Sequence, residues 1–592
     1  MNTTYQNNKL IRKTILSMFG GSLAATITAA IALMADTILA GVLFNKVAVA
    51  AVAVGTPIIN IFQALTQTII NGASVKMSIA AGKGDTEEVH KSFAVAVFFS
   101  IVIGLVFILG CQFFAKPLVM AFGASPEIAD MTMWYLRGSS GCIVFLTINL
   151  FLSKTLALYG MQKIIFRSAF VSILANIVFS LIVTKILPAH MAIMGLGIGT
   201  WMGGSLAITS SVLALRKHKI SFRVRKEDIT LERLSGFVRI GIPSSGNSLA
   251  DGVVSGIVNN LIVNGFRDGV IALAVYTAVK SVTTFATAIV QAINLSVMPL
   301  FGIMYGARDK NGILRAYRES IRLAVMALGI CAVTVSVASP VFAGAFDMKG
   351  VKDFNIGLIV CMFLYLPLTA LVKITTQLFE SMEKPGMGFV YSVIPDSIIY
   401  PLMLMLLMPV FGYNGIWMAY SLNPIPFLAG LYLVRSVKEK SFKLSPDRML
   451  CIDKEIRDNV PKMDISINSD NRDVSFVSGQ VHEFLQKEAV GDQIAYNTAL
   501  CLEELATDFV EHTAEMDDAK ADEEIMDIKL FSDEDKLRII IRNKAEQYNP
   551  LDFKQDTEDF RKLGVKLALE MAKNLEYTYV YQMNIVTIDI SK

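Results

Sequence analysis

The sequence is poor in charge. Of 592 residues, 18% are Asp, Glu, Lys or Arg and 53% are hydrophobic, with a mean hydropathy of +0.52. That balance excludes an ordinary soluble protein. Cysteine is also scarce. Cys111, Cys142, Cys331, Cys361, Cys451 and Cys501 form no CxxC pair and no zinc-ligand spacing, so no structural metal site is expected and they read as small hydrophobes. No Walker motif is present, which argues against a primary ATP-driven pump. No A-x-A cleavage pattern follows the short polar N-terminus MNTTYQNNKLIRK. The apolar run behind it is therefore read as a first membrane helix, not a removed signal peptide.

What charge there is divides in two. Residues 441–592 hold 19 Lys+Arg and 32 Asp+Glu, a net of −13; the preceding 440 hold 35 and 19, a net of +16. The basic residues lie between apolar segments, where membrane topology explains them, so nucleic acid is not an expected partner. Twelve apolar segments begin near residues 14, 50, 92, 131, 164, 191, 236, 270, 319, 354, 387 and 413, each near the roughly 20 residues that a bilayer requires. The N-terminus and the loops at 76–92, 154–167, 215–239, 305–322 and 380–387 carry 23 Lys+Arg, against 6 in the alternate loops. The positive-inside rule places the first set, both termini and the acidic tail in the cytoplasm of a cell inner (plasma) membrane.

The segments repeat. SIAAGKGDTEEVHKSF (78–93) resembles PLFGIMYGARDKNGILRAY (299–317), pairing Gly82 with Gly306 and Asp85 with Asp309. LMADTILAG (33–41) resembles SLADGVVSG (248–256), pairing Asp36 with Asp251, and LALYGMQK (156–163) resembles QLFESMEK (377–384). The expected fold is an all-α polytopic membrane protein of two six-helix repeats, 1–227 and 228–440, with a cytoplasmic α/β domain at 441–592. Six spans per copy put both copies the same way up, around a central cavity between bundles that rock against each other.

A charge at bilayer depth costs on the order of 2.5–3.5 kcal/mol on insertion scales, so it marks a protein-lined cavity. Asp36 lies toward the outer half of the first segment and is the leading candidate to couple export to an ion gradient; a structural hydrogen bond is the alternative. Asp251, Lys373 in LTALVKITT and Asp396 in VIPDSII are the other deep charges. Pro57 and Pro299, inside the second and eighth segments, free backbone carbonyls and are candidate hinges or fixed kinks.

MADTILAG, AAVAVGTPI (50–58) and GASVKMSIAAGKGDTEEVHKSF (72–93), with GIPSSGNSLADG (241–252) and PLFGIMYGARDK (299–310), resemble the multidrug and toxin extrusion (MATE) transporters over roughly residues 12–437. The resemblance implies an N-lobe and a C-lobe in a V. It implies antiport of organic cations or other amphiphiles for H⁺ or Na⁺, no required cofactor, and Asp36 as the essential first-helix aspartate. Fifth helices of that branch often carry an aspartate where ILANIVFSLIV (173–183) has Ser180, near Asn176. The usual N-lobe ion site is thus incomplete.

In the tail, strand-like runs at 462–467, 537–541 and 585–590 alternate with helical runs at 475–487, 493–513 and 560–574. TALCLEELATDFVEH (498–512) resembles the signature helix of the GHKL ATPases, in particular the anti-sigma-factor serine kinases. Glu504 and His512 match that pattern. Asp508 stands where the Mg²⁺-holding Asn belongs, Asn543 where an adenine-contacting Asp belongs and Ala545 where a Gly belongs, while Gly564 survives from the final glycine box. These replacements imply a tail without enzyme activity and argue against ATP/Mg binding. They leave a regulatory domain that binds a cytoplasmic protein. Two further readings remain open: a lipid-linked saccharide flippase, and a membrane sensor signalling through its tail.

Overall fold

The computed structural model describes residues 9–592 except 45, 123–125, 219, 221–225, 346, 347, 349, 443, 444, 459, 460, 469, 517–524, 533, 534 and 552–562. The side chains of residues 29–38, 57 and 251–253 also lie outside the described set, and with them those of Asp36, Pro57 and Asp251. Helices α1 (Lys9–Leu43), α2 (Lys46–Lys83), α3 (Thr86–Ala121), α4 (Pro126–Ser139), α5 (Cys142–Leu158), α6 (Gln162–Ile186) and α7 (Met194–Lys217) form the first lobe. The second begins with α8 (Leu231–Gly265), α9 (Gly269–Gly306), α10 (Lys310–Val337) and α11 (Ser339–Ala345). Then α12 (Lys352–Val360) runs through a π-helical turn, Cys361–Tyr365, into α13 (Leu366–Ser381). Likewise α14 (Pro385–Val393) passes through Ile394–Ile399 into α15 (Tyr400–Phe411), and α16 (Tyr413–Leu422) leads to α17 (Pro424–Lys438).

Among the described residues seven helices are long and apolar enough to cross a membrane, or eight if α4 and α5, bent by 42°, form one span. Their burial is that of a lipid-bathed bundle: α3 buries Gly104, Phe107, Cys111 and Ala115 while Leu105, Val106, Leu109 and Phe113 face outward. Helices α2 and α9, 38 residues each, run well past the apolar windows that marked them.

The turns after α2 and α9 share one backbone design. Gly84 and Arg308 both take left-handed φ, +81° and +54°. Asp85 then caps α3, accepting from the Glu88 N–H at 2.9 Å, as Asp309 caps α10 by accepting from Gly312 N–H at 2.8 Å. The sequence pairing of these turns is therefore a structural one. The other pairing shifts. The left-handed residue ending α5 is Gly160 and that ending α13 is Glu383, two residues from the register that LALYGMQK and QLFESMEK suggest.

After the short helices α18 (Pro446–Met449) and α19 (Lys454–Asp458), the tail contains β1 (Met463–Asn468), α20 (Asn471–Lys487), α21 (Asp492–Met516), β2 (Ile525–Ser532), β3 (Lys536–Asn543), α22 (Leu563–Met571), β4 (Asn574–Val580) and β5 (Met583–Ser591). The strands form one antiparallel sheet in the order β1-β2-β3-β5-β4. Alternation splits its residues. Ile528, Leu530, Ile539, Ile541, Val586 and Ile588 pack with Val477, Leu502 and Phe509 of the helices. Phe531, Ile540, Met583 and Ile585 instead join the core of the membrane lobes.

Candidate functional site

The lobes meet at the end that faces the tail. A Cβ added at Gly72, Gly82, Gly241 or Gly306 would come within 1.9–2.2 Å of a backbone oxygen of the other lobe, those of Phe237, Ile303, Thr68 and Ile79. Only glycine permits so close an approach. Salt bridges flank it: Arg233 to Glu88 at 2.7 Å and Lys76 to Glu383 at 2.5 Å, each joining one lobe to the other. Among the described residues these inter-lobe contacts gather at one end of α2, α8 and α9. Farther along, Thr26 of α1 donates to the Ala288 carbonyl of α9 at 3.3 Å, so contact between the lobes continues toward the middle of these helices.

Of the deep charges, Lys373 on α13 and Asp396 in the π-helical turn Ile394–Ile399 lie together, with Nζ and carboxylate 3.5 Å apart and both partly buried. The extra residue of a π turn rotates Asp396 relative to an unbroken helix, a device common at functional sites. Lys280 of α9, which the sequence reading did not single out, donates to Ser255 at 3.1 Å, four residues beyond Asp251. Asn176 ties α6 to α7: its Nδ2 donates to Thr200 at 2.8 Å, and Ser180 donates to the Leu196 carbonyl at 3.3 Å. These bonds occupy Asn176 and Ser180 in helix packing. Pro299 is buried within a continuous α9. Also missed were the buried aromatics of the second lobe. Tyr365 stacks on Tyr420 with centroids 4.2 Å apart, and Tyr400 donates to Tyr276 at 3.1 Å. Nothing in their sequence spacing marks them, and only the assembled helices bring them together.

The tail residues picked out by sequence do converge. The Glu504 carboxylate lies against Gly564, where α22 begins beside α21. Burial, together with Glu503 and Glu511, raises the Glu504 carboxyl above its ordinary range. Tyr548, three residues beyond Ala545, governs the site. Its hydroxyl donates to Asp508 at 2.9 Å and its ring stacks on His512 at 3.6 Å. Its backbone N–H donates to Asn584, which in turn donates to the Asn543 side-chain oxygen at 3.0 Å. Asn543 is buried, with its Nδ2 unpartnered among the described residues. Tyr548 thus engages both groups, Asp508 and His512, that the signature helix presents.

The tail docks on the same end of the lobes. Lys529 and Arg542, on the second face of the sheet, reach Asp309 at 2.7 and 2.6 Å, with all three fully buried. Burial alone would raise the Asp309 carboxyl, but the two cations outweigh it and hold it well below the carboxylate range. Arg315 pairs with Asp464 at 2.6 Å, Tyr305 donates to Asp453 at 2.8 Å and Lys544 donates to Ser17 at 2.6 Å. Tyr581 and Gln582, the β4–β5 turn, reach α5 and α9. The Tyr581 N–H donates to the Leu158 carbonyl at 2.6 Å, its hydroxyl donates to the Ser296 carbonyl, and Gln582 donates to the Gly160 carbonyl at 2.8 Å.

A family model described as MatE matches residues 21–182 and 252–403, one stretch in each lobe and just over half of the chain. The multidrug export protein MepA of Staphylococcus haemolyticus is 21% identical over 412 residues, covering 68% of this chain and 88% of that protein. Among solved structures, a MATE in complex with MaD3S superposes with a TM-score of 0.65 at 18% identity, over 73% of this chain and 98% of that one. An outward-facing multidrug resistance MATE family transporter gives 0.62 at 16%, over 74% and 99%. A transporter from Pyrococcus furiosus, described as having a binding pocket of reversed polarity, gives 0.62 at 17%, over 73% and 97%. At these identities the solved structures speak for the fold.

Proposed function

The chain belongs to the MatE family, a family of multi-pass membrane transporters, and from that premise we propose that it is a secondary active exporter of organic cations or other amphiphiles, driven by inward H⁺ or Na⁺. The observation that carries this reading is the close glycine packing of the two lobes against each other at their tail-facing end. Helices that touch through glycine backbone can pivot on that contact, and two lobes that rock against each other expose a cavity between them to one side at a time. Asp36 is the coupling carboxylate of this proposal, with Asp251 and the Lys373–Asp396 pair in the second lobe. The twelve-span topology, with both termini and the tail cytoplasmic in the inner membrane, is supported by the 23-to-6 distribution of Lys and Arg between alternate loops.

The tail reads as a GHKL-like domain that has exchanged nucleotide chemistry for contact with the lobes. Tyr548 over Asp508 and His512 supports the loss of Mg-nucleotide binding, and the docking of the sheet supports a regulatory role.

Ethidium efflux from energised cells, at matched expression of wild type and Asp36→Asn, tests the exporter reading. Wild-type extrusion that the variant lacks is expected. Equal extrusion by both would make Asp36 structural, and extrusion by neither would remove amphiphilic cations from the substrate range.

A further inference from the structure

We propose that the β4–β5 turn of the tail is a wedge that locks the two lobes closed at their tail-facing end, so that transport requires the tail to withdraw. This rests on the exporter reading for its meaning, though not for its test. Tyr581 is fully buried and bonds both lobes at once: its N–H to the carbonyl that ends α5 in the first, its hydroxyl to the Ser296 carbonyl of α9 in the second. Gln582 adds the Gly160 carbonyl of the first lobe. A turn bonded to two bodies that must separate opposes their separation.

The turn is also built for docking and not for itself. Both residues take left-handed φ, +55° and +57°, as a two-residue hairpin turn of primed type requires. Asn-Gly would adopt that shape freely. Tyr-Gln adopts it at a cost of about 1–2 kcal/mol per residue, a strain that persists only where surroundings over-determine it. The surroundings here are the lobes. Around the wedge the tail touches three more turns at this end: Glu576 lies against Gly84, Lys529 and Arg542 hold Asp309, and Lys384 pairs with Asp453 at 2.7 Å. One rigid sheet thus spans first-lobe and second-lobe turns that would part as the cleft opened.

The test reads the cleft directly, without a substrate. Ser78 is buried where α2 meets Gly302 of α9. Ser78→Cys is placed in a full-length chain lacking its native cysteines, in nanodiscs, and labelled with a water-soluble maleimide. Tyr581→Ala with Gln582→Ala is expected to raise the labelling rate about tenfold, the scale of losing a few hydrogen bonds from one side of a two-state equilibrium. An unchanged rate overturns the wedge. Because the double variant could misfold, a reversible staple serves as the second arm. A Cβ at Gly84 would lie 3.8 Å from that of Glu576, within disulfide reach, and because the left-handed φ of +81° strains any side chain there, the reduced form of the same variant is the reference. In the Gly84→Cys, Glu576→Cys protein, oxidation should suppress labelling at position 78 and reduction should restore it in the same molecules. Equal labelling in both redox states overturns the proposal. Failure of ethidium export alone would bear on the substrate range of the exporter reading and leave the wedge standing.

Discussion

Asp85 and Asp309 are the same residue in two copies of one turn. Each follows a left-handed residue, and each accepts a backbone N–H three residues on to start a helix. Asp85 remains exposed, and its helix cap is the contact it makes among those described. Asp309 is sealed beneath the tail between Lys529 and Arg542. Duplication supplied two equivalent turns, and the tail took the carboxylate of one. Local capping chemistry is therefore common to both copies, while the buried ion triad belongs to the second alone.

This difference is steep in energy. Asp309→Ala leaves Arg542 buried without its carboxylate and Lys529 with Asp464 at 3.7 Å, and removing one partner of a buried pair costs about 3–5 kcal/mol. We expect the tail to undock, seen as rapid proteolytic cleavage near residues 439–445; a tail that stays protected would show that the triad does not hold it. Acid should act on the same contact. Because the Asp309 carboxyl is held below its ordinary range in the docked state, its contribution is complete above about pH 4 and is lost as pH falls below that, the unfolded carboxylate value. Protection of the tail should thus be flat from pH 8 to about pH 5 and fall only below about pH 4. Asp85→Ala is the smallest of the three: loss of an exposed helix cap costs about 1 kcal/mol, visible as a small drop in melting temperature with docking intact. If Asp85→Ala released the tail as Asp309→Ala does, the two turns would be functionally equivalent and the asymmetry illusory.

How much of this could be read in the sequence follows from where the physics is local. The turn was legible twice over, because Gly82 with Asp85 recurs as Gly306 with Asp309, while its left-handed position was not, being Gly84 in one copy and Arg308 in the other. The apolar segments were legible because lipid demands them. Strand β2 was not: IMDIKLFS alternates charge with hydrophobe, which reads as a half-exposed surface, yet Asp527 and Lys529 are buried against the lobes. The Lys373–Asp396 contact joins two charges that were each noticed, but the pairing depends on helix packing and a π turn that hydropathy does not register. Tyr548 escaped because the motif was followed as far as Ala545. The pair Asp508 and His512, one helical turn apart and each in need of a partner, was the signal that pointed to it. The role of Asp309 depends on residues more than 200 positions away, and no local pattern encodes that.

The sheet with two buried faces has a consequence for whatever happens after undocking. A free tail would show water Phe531, Ile540 and Ile585 beside Arg542 and Lys529, both parted from Asp309, with Lys529 keeping Asp464 of β1. Such a surface is sticky, and it either returns to the lobes or is captured by another protein. Capture and opening are then linked quantities, and thermodynamic reciprocity requires each to favour the other by the same factor. A cell that supplied the captor would open the transporter, and a substrate that opened the transporter would advertise its presence by offering the captor its ligand.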